Sequence, residues 1–181
     1  LQAIECYAQQ GDAYDFLHMP DSVILIKERA SRLYKEYGRD SWAAQTLGPA
    51  ISSLVEMGDV KTAKKYSDLY EKQSGLFNEL GEIGKGFEIY YYIKGEYYLA
   101  IHELDSAEFL FRKELQEGKD LNNQIAGSKG LQMVYEQRKN VDSIAKYSKL
   151  SYELNDSAYP LSEMQNMQQL QASYNYNHHK Y

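Results

Sequence analysis

The stretch GEYYLAIHELDSAEFLF, residues 95–111, decides the fold class of this 181-residue chain. It carries a glycine, an aromatic residue three positions later, a small residue at position 107 and a second aromatic residue at its end. The same order recurs from residues 11, 51 and 132 as well as from 95, so successive copies are separated by 40, 44 and 37 residues. Recurrence on this scale is typical of arrays in which each small unit buries its apolar side against the next.

Each position of the repeat has a packing reason. Small residues such as Gly95 and Ala107 let two helices approach closely, and Tyr98 fills the space beside them. Leu, Glu, Lys, Gln and Ala fill the runs between only three prolines, which favours helix over strand. We therefore predict an all-α fold, a right-handed superhelix of about four antiparallel helix pairs. The predicted pairs are 3–18 with 21–37, 41–57 with 60–74, 84–102 with 105–117, and 121–138 with 142–154.

Helix starts and stops agree with this division. Asp-Ser precedes Val23, Ala107 and Ile144, and Asp59 stands before the remaining second helix, so these polar residues are predicted N-caps. Glycines at 38, 75 and 118 follow second helices as predicted stops. The Gly48-Pro49 step should bend or split its helix, and the glycine-rich stretch 75–88 should form a flexible loop.

We predict that the chain divides into a repeat domain, residues 1–157, and a final capping or linker helix, residues 158–181. Pro160 suits the first turn of that last helix. Its apolar residues step by three and predict a stripe that covers the last pair, namely Leu161, Met164, Met167 and Leu170.

Composition excludes several partners. The net charge of −6 and pI near 5.3 leave no basic face of the extent that nucleic-acid binding requires, so direct nucleic-acid contact is not expected. No run of about 18 apolar residues is present, so no membrane insertion is predicted within these residues. We keep a membrane anchor beyond Tyr181 as an alternative. The single cysteine, Cys6, is predicted to be a buried apolar residue.

No motif of an enzyme is legible. The chain lacks a phosphate-binding glycine loop, a GxSxG elbow, HExxH and CxxC. His18 and His102 fall at the turn inside a helix pair and are predicted turn residues, and the adjacent His178 and His179 point in different directions on a helix. We predict a non-enzymatic protein with no metal and no cofactor.

Eighteen tyrosines are unusual for this length. Most are predicted packing residues with hydroxyls near the surface. Five on one helix, at positions 90, 91, 92, 97 and 98, span more than one side, so some are predicted to lie exposed as contact anchors for a partner.

The Gly/aromatic/small/aromatic order resembles the tetratricopeptide repeat (TPR), whose usual length of about 34 residues is exceeded here only in the connecting segments. That resemblance covers nearly the whole chain and implies a concave face lined by the first helices, which binds a protein or peptide. Carried onto this sequence, the face comprises Glu5, Asp12, Asp15, Gln45, Ser52, Tyr92, Glu96, Leu99, Lys129, Met133 and Glu136. It would be mildly acidic, with an aromatic and aliphatic centre.

A narrower resemblance rests on DSAEFLFRKEL (105–115), NVDSIAKYSKLSYELNDSAY (140–159) and EMQNMQQLQASYNY (163–176). These stretches resemble the sensor region of bacterial membrane-anchored transcriptional regulators, in which degenerate TPR units precede a membrane helix and a helix-turn-helix or kinase output. The resemblance implies a sensing and interaction region on the periplasmic side of the inner membrane. The alternative is a stand-alone cytoplasmic adaptor that uses the same groove.

Overall fold

The computed structural model describes residues 1–158, and the regular secondary structure in that range is helical apart from one isolated β-bridge. The all-α prediction is therefore confirmed. Helical backbone also runs from 141 to 158, called α9 here. The predicted helix at about 158–181 lies outside the described residues except for its first position. The other helices are α1 (Gln2–Phe16), α2 (Pro20–Glu36), α3 (Asp40–Thr46), α4 (Gly48–Glu56), α5 (Val60–Gln73), α6 (Ile89–Ala100), α7 (Leu104–Glu117) and α8 (Leu121–Gln137).

The helices pack in chain order. The hairpins α1–α2, α4–α5, α6–α7 and α7–α8 pack closely, and the first helices α1, α4, α6 and α8 each contact the next in that series. Three buried clusters follow one another along the chain, centred on α1 to α3, on α4 to α6, and on α6 to α9. Each cluster thus joins residues of helices that are consecutive in the chain.

The turns inside the helix pairs repeat in backbone conformation. His18, Gly58, His102 and Lys139 have φ of 53°, 80°, 63° and 55°, and they are separated by the 40, 44 and 37 residues read from the sequence. In each turn this residue's amide donates to the carbonyl three residues earlier, and the next amide donates to the carbonyl five residues earlier. The prediction of His18 and His102 as turn residues is confirmed.

Helix starts lie within about one residue of the prediction, apart from the predicted helix 84–102, but most of the predicted caps differ. Asp59 caps α5 as predicted, because its carboxylate accepts the amide of Thr62 at 3.0 Å. The Asp-Ser pairs do not cap: Asp21 and Asp105 lie inside the first turns of α2 and α7, and Asn140 accepts the amide of Ser143 at 3.0 Å before α9. The turn conformation starts these helices before their Asp-Ser pairs. The negative charges of the two aspartates then interact favourably with the positive N-terminal end of the helix dipole.

The Gly48-Pro49 step divides the predicted helix 41–57 into α3 and α4, as expected for proline. The predicted helix 84–102 is shorter than expected and begins at Ile89. Gly86, with φ of 91°, interrupts the helical path before it.

The stretch 75–88 is held more firmly than the sequence predicts. Phe77 and Ile83 form an antiparallel bridge, and the side chain of Asn78 accepts the amides of Leu80 and Glu82 at 3.0 and 2.9 Å. Ile83 is buried in the central cluster with Phe77 packed against it. The prediction of a flexible loop overlooked these apolar anchors.

Phe111 of α7 is fully buried between two glycines. A Cβ atom at Gly95 would lie 2.5 Å from its ring, and one at Gly130 would lie 2.2 Å away. The equivalent place in the first pair, sixteen residues after Gly11, holds Lys27, whose Cε would lie 2.6 Å from a Cβ at Gly11. Lys27 is 4% exposed, so one slot of the repeat accepts either an aromatic ring or a lysine stem.

Two burial predictions from the sequence are wrong. Cys6 is exposed, because the buried stripe of α1 consists of Ile4 and Gly11 instead. Some of the five tyrosines between 90 and 98 were predicted to be exposed, but none of them is. Tyr90 and Tyr91 are buried, and those at 92, 97 and 98 are half-buried. Helix neighbours on both sides of α6 account for this, and Tyr90 stacks on Tyr70 at 4.6 Å between ring centroids.

Candidate functional site

Glu96 of α6 is the centre of the candidate site. The hydroxyl of Ser52, on α4, donates to its carboxylate at 2.6 Å and joins two first helices directly. Burial is the largest cause that raises the pKa of Glu96, and the carboxylates of Asp15 and Glu56 raise it further. The Ser52 and Tyr92 hydroxyls act in the opposite direction.

Tyr92 stands one helical turn before Glu96 and faces the same carboxylate. Burial and the negative charge of Glu96 raise the pKa of Tyr92, so its hydroxyl stays protonated. Its ring lies 5.6 Å from the ring of Phe111, which anchors it to the core. The hydroxyl is therefore held in place as a donor beside the carboxylate.

The structure gathers these side chains from three helices into what we call the acidic cluster: Asp15, Ser52, Glu56, Tyr92 and Glu96. Four of the five were predicted from the sequence. Glu56 was missed, although it follows Ser52 by four residues and therefore shares its helix face. Converging carboxylates produce a negative potential that attracts a cationic side chain.

A cavity of about 480 Å³ adjoins the acidic cluster at Tyr92. Lys129, Gln132 and Met133 of α8 line it on one side, and polar residues of α9 line the other. The predicted face residues Lys129 and Met133 are thus brought to the same hollow as Tyr92. The thioether of Met133 adapts to apolar groups of varied shape.

The remaining predicted face residues are more scattered. Glu5 is exposed on α1, and Asp12 binds the ammonium of Lys27. Gln45 donates to the carbonyl of Ser74 at 2.8 Å, which ties α3 to the end of α5. Leu99 is buried in the core beneath the face.

Glu136 lies near the end of α8. Its carboxylate accepts a hydrogen bond from Gln132 at 2.8 Å, and its side chain is exposed. Glu136 thus stands one helical turn after Gln132, which contributes to the wall of the cavity.

Neither histidine of the described range stands in a metal-binding arrangement. His102 Nδ1 lies 3.2 Å from the Gln137 side-chain oxygen, and His18 is an exposed turn residue. Within residues 1–158 no three His, Cys, Asp or Glu side chains come together in a group that could hold a metal ion.

Comparisons with protein-family models, with curated proteins and with solved structures find no match to this chain. Among the described helices, none combines the length and apolar character that crossing a membrane requires.

Proposed function

We propose that the chain is a non-enzymatic, TPR-like scaffold that binds a protein or peptide on the face of its first helices. The observation that carries the proposal is the position of Tyr92, which belongs both to the acidic cluster and to the cavity beside α8. One surface therefore runs over α4, α6 and α8 and combines charge, an aromatic ring and an apolar hollow. Such a combination is typical of sites that hold a peptide by a few anchors.

The chemistry of the face favours a peptide with a cationic side chain. Glu96 already receives a hydrogen bond from Ser52, and Asp15 and Glu56 add negative charge around it. A lysine or arginine of the partner would satisfy these charges, and an adjacent apolar residue would enter the cavity at Met133.

A double variant tests this function. Purified protein is used to capture partners from a native extract, and the wild type is compared with a Tyr92→Phe, Glu96→Gln variant that keeps the shape of both side chains. We expect the captured partners to be lost or strongly reduced. The matched control is Tyr37→Phe, Glu36→Gln, which changes the same residue types on exposed positions at the end of α2.

If the Tyr92→Phe, Glu96→Gln variant captured as much of the partners as the control variant does, the assignment of the binding face would be wrong. Thermal unfolding of each variant shows whether a loss of binding reflects a loss of the fold.

The narrower proposal is a sensing region of a bacterial membrane-anchored transcriptional regulator, placed on the periplasmic side of the inner membrane. The sequence resemblance of 105–115 and 140–159 supports it. Fractionation of the native full-length protein tests it: membrane association, with this region accessible to protease from the periplasm, is expected. Recovery of the protein in the cytosol would instead favour the stand-alone adaptor.

A further inference from the structure

A depression between α2, α3 and α5 is positively charged, although the chain has a net charge of −6. Two adjoining hollows of about 280 and 370 Å³ share Lys65, Leu69 and Gln73, and we call them together the basic groove. Three carboxylates line it, Glu28, Asp40 and Asp68, against six cationic side chains. The cations are Arg32, Lys35, Lys61, Lys64, Lys65 and Lys72.

Most of the positive charge in the basic groove is uncompensated. Lys35, Lys61, Lys65 and Lys72 are exposed and form no ion pair with any residue of the range 1–158. A surface with four such ammonium groups attracts anionic partners.

The acids of the groove are already engaged. Asp68 pairs with Lys64 at 2.9 Å. Glu28 accepts a hydrogen bond from the hydroxyl of Tyr66 and lies 4.0 Å from Arg32. Asp40 stands in the first turn of α3, where the helix dipole stabilises its charge. These carboxylates therefore do little to neutralise the four free lysines.

Three of the four free lysines follow one side of α5. Lys61, Lys65 and Lys72 are spaced by four and seven residues, so they lie along a single stripe. Eleven residues of helix span about 16 Å. An extended segment of about five residues covers that length.

The floor of the groove is small and apolar. Ala43 and Ala44 of α3 and Leu47, which follows that helix, are buried at its base, and Leu69 lines its side. The hydroxyl of Ser31 donates to the carbonyl of Ala43 at 2.8 Å and fixes α2 against α3. Because the floor is recessed, it receives side chains. A membrane contact requires apolar side chains that project from the surface instead.

We propose that the basic groove binds an acidic segment of a partner protein. Carboxylates of the segment face Lys35, Lys61 and Lys65, and apolar side chains between them enter the hollow above the α3 floor. The surface shares no residue with the acidic cluster and has the opposite charge, so it gives the chain a second binding site of complementary preference.

Fluorescence anisotropy with a labelled peptide of four Glu-Glu-Leu repeats tests the proposal. We expect saturable binding to the wild type that weakens as salt is added. A Lys35→Glu, Lys65→Glu variant should bind at least about tenfold more weakly. The matched control is Lys85→Glu, Lys119→Glu, which changes the net charge equally at exposed lysines outside the groove and should lose less than about threefold.

Further measurements separate binding in the basic groove from binding by charge alone, at the acidic cluster or to a lipid surface. A peptide with serine in place of leucine should bind more weakly, and the Tyr92→Phe, Glu96→Gln variant should bind the acidic peptide as the wild type does. No binding by the wild type, or an equal loss in both lysine variants, overturns the proposal. So does cosedimentation with phosphatidylserine vesicles that depends on Lys35 and Lys65 without peptide binding, because the groove would then serve a lipid surface.

Discussion

At the scale of single residues, the carboxyl group of Glu114 on α7 is buried without an ion pair among the described residues. It is fully buried, and neither of its carboxylate oxygens meets the geometry of a hydrogen bond within residues 1–158, although the nearby backbone of Tyr92 acts to lower its pKa. Burial first, and then the negative charge of Glu88, raise the pKa of Glu114 to about 8. The carboxyl group is therefore largely protonated at neutral pH.

We expect Glu114→Gln to stabilise the protein at alkaline pH. The unfolded chain loses this proton near pH 4 and the folded protein keeps it until about pH 8, so wild-type stability falls as pH rises through that window. The glutamine variant lacks this decline, and its advantage above pH 8 should reach about 2 to 5 kcal/mol. Urea unfolding at pH 5, 7 and 9 measures the difference.

Glu117→Gln, on the exposed side of the same helix, is the control and should follow the wild type. Parallel stability curves for wild type and Glu114→Gln would show that the buried group does not change its pKa on folding.

Glu108 is the opposite case on the same helix. Burial alone would raise its pKa, but hydrogen bonds from Tyr135, Arg112 and Arg138 outweigh burial and lower the pKa to about 2. Its oxygens accept from Tyr135 at 2.6 Å and from Arg112 at 2.6 Å. The network connects α7 to α8 and to the turn that follows it.

Glu108→Gln should cost about 2 kcal/mol of stability at pH 7, since it removes a charge that two guanidinium groups face. The stabilisation from a lowered pKa is present above the unfolded value near 4.3 and is lost as pH falls toward 2. The deficit of the variant should therefore shrink between pH 5 and pH 2. If the variant were less stable than the wild type by the same amount from pH 5 to pH 2, the charge of Glu108 would not be the source of the stabilisation.

The resemblance to the tetratricopeptide repeat pointed to Asp15, Ser52, Tyr92 and Glu96, because it implies which positions of the first helices line a common face. It could not reveal Glu114 or the burial of Lys27, since both depend on neighbours distant in sequence. For the same reason, Cys6 was predicted on the wrong side of α1: the stripe of that helix is set by contacts with α2.

At the scale of elements, close approach of α6 and α8 to α7 depends on glycine. Gly95→Ala would place a methyl group 2.5 Å from the Phe111 ring, and we expect a loss of about 2 to 3 kcal/mol in the free energy of unfolding. Combining it with Phe111→Leu should cost less than the sum of the two single changes. Chemical denaturation of the four proteins measures the coupling.

Gly84→Ala serves as the control for Gly95→Ala. A methyl group there would lie 3.4 Å from its nearest neighbour, the Leu76 carbonyl oxygen, so the change should be within about 1 kcal/mol of neutral. Strict additivity of Gly95→Ala and Phe111→Leu would mean that the two groups do not contact each other.

The helices themselves were largely predictable, since glycine, proline and apolar spacing are local signals. Boundaries moved where the turn conformation at His18, His102 and Lys139 starts the next helix before its Asp-Ser pair. The order in stretch 75–88 was not predictable, because Ile83 gains its burial from aromatic residues of α5 and α6.

At the scale of the whole molecule, packing in chain order predicts graded stability. α1 stands at one end and buries only Ile4 and Gly11, whereas α8 buries seven residues. Native-state hydrogen exchange should therefore show opening of α1 at a lower free energy than opening of α8. Ile4→Ala should accelerate exchange in α1 and leave α8 unchanged, and a uniform acceleration along the chain would instead indicate one cooperative unit.

The shared slot that holds Phe111 in the third hairpin and Lys27 in the first limits how the hairpins can be exchanged. A transplanted first hairpin would bring a buried ammonium group that relies on Asp12, and the aromatic contacts around Tyr92 would lose their partner. We therefore expect that the protein can be lengthened by duplicating the third hairpin but not the first. The hairpins share a backbone arrangement, but one cannot replace another because their buried side chains differ.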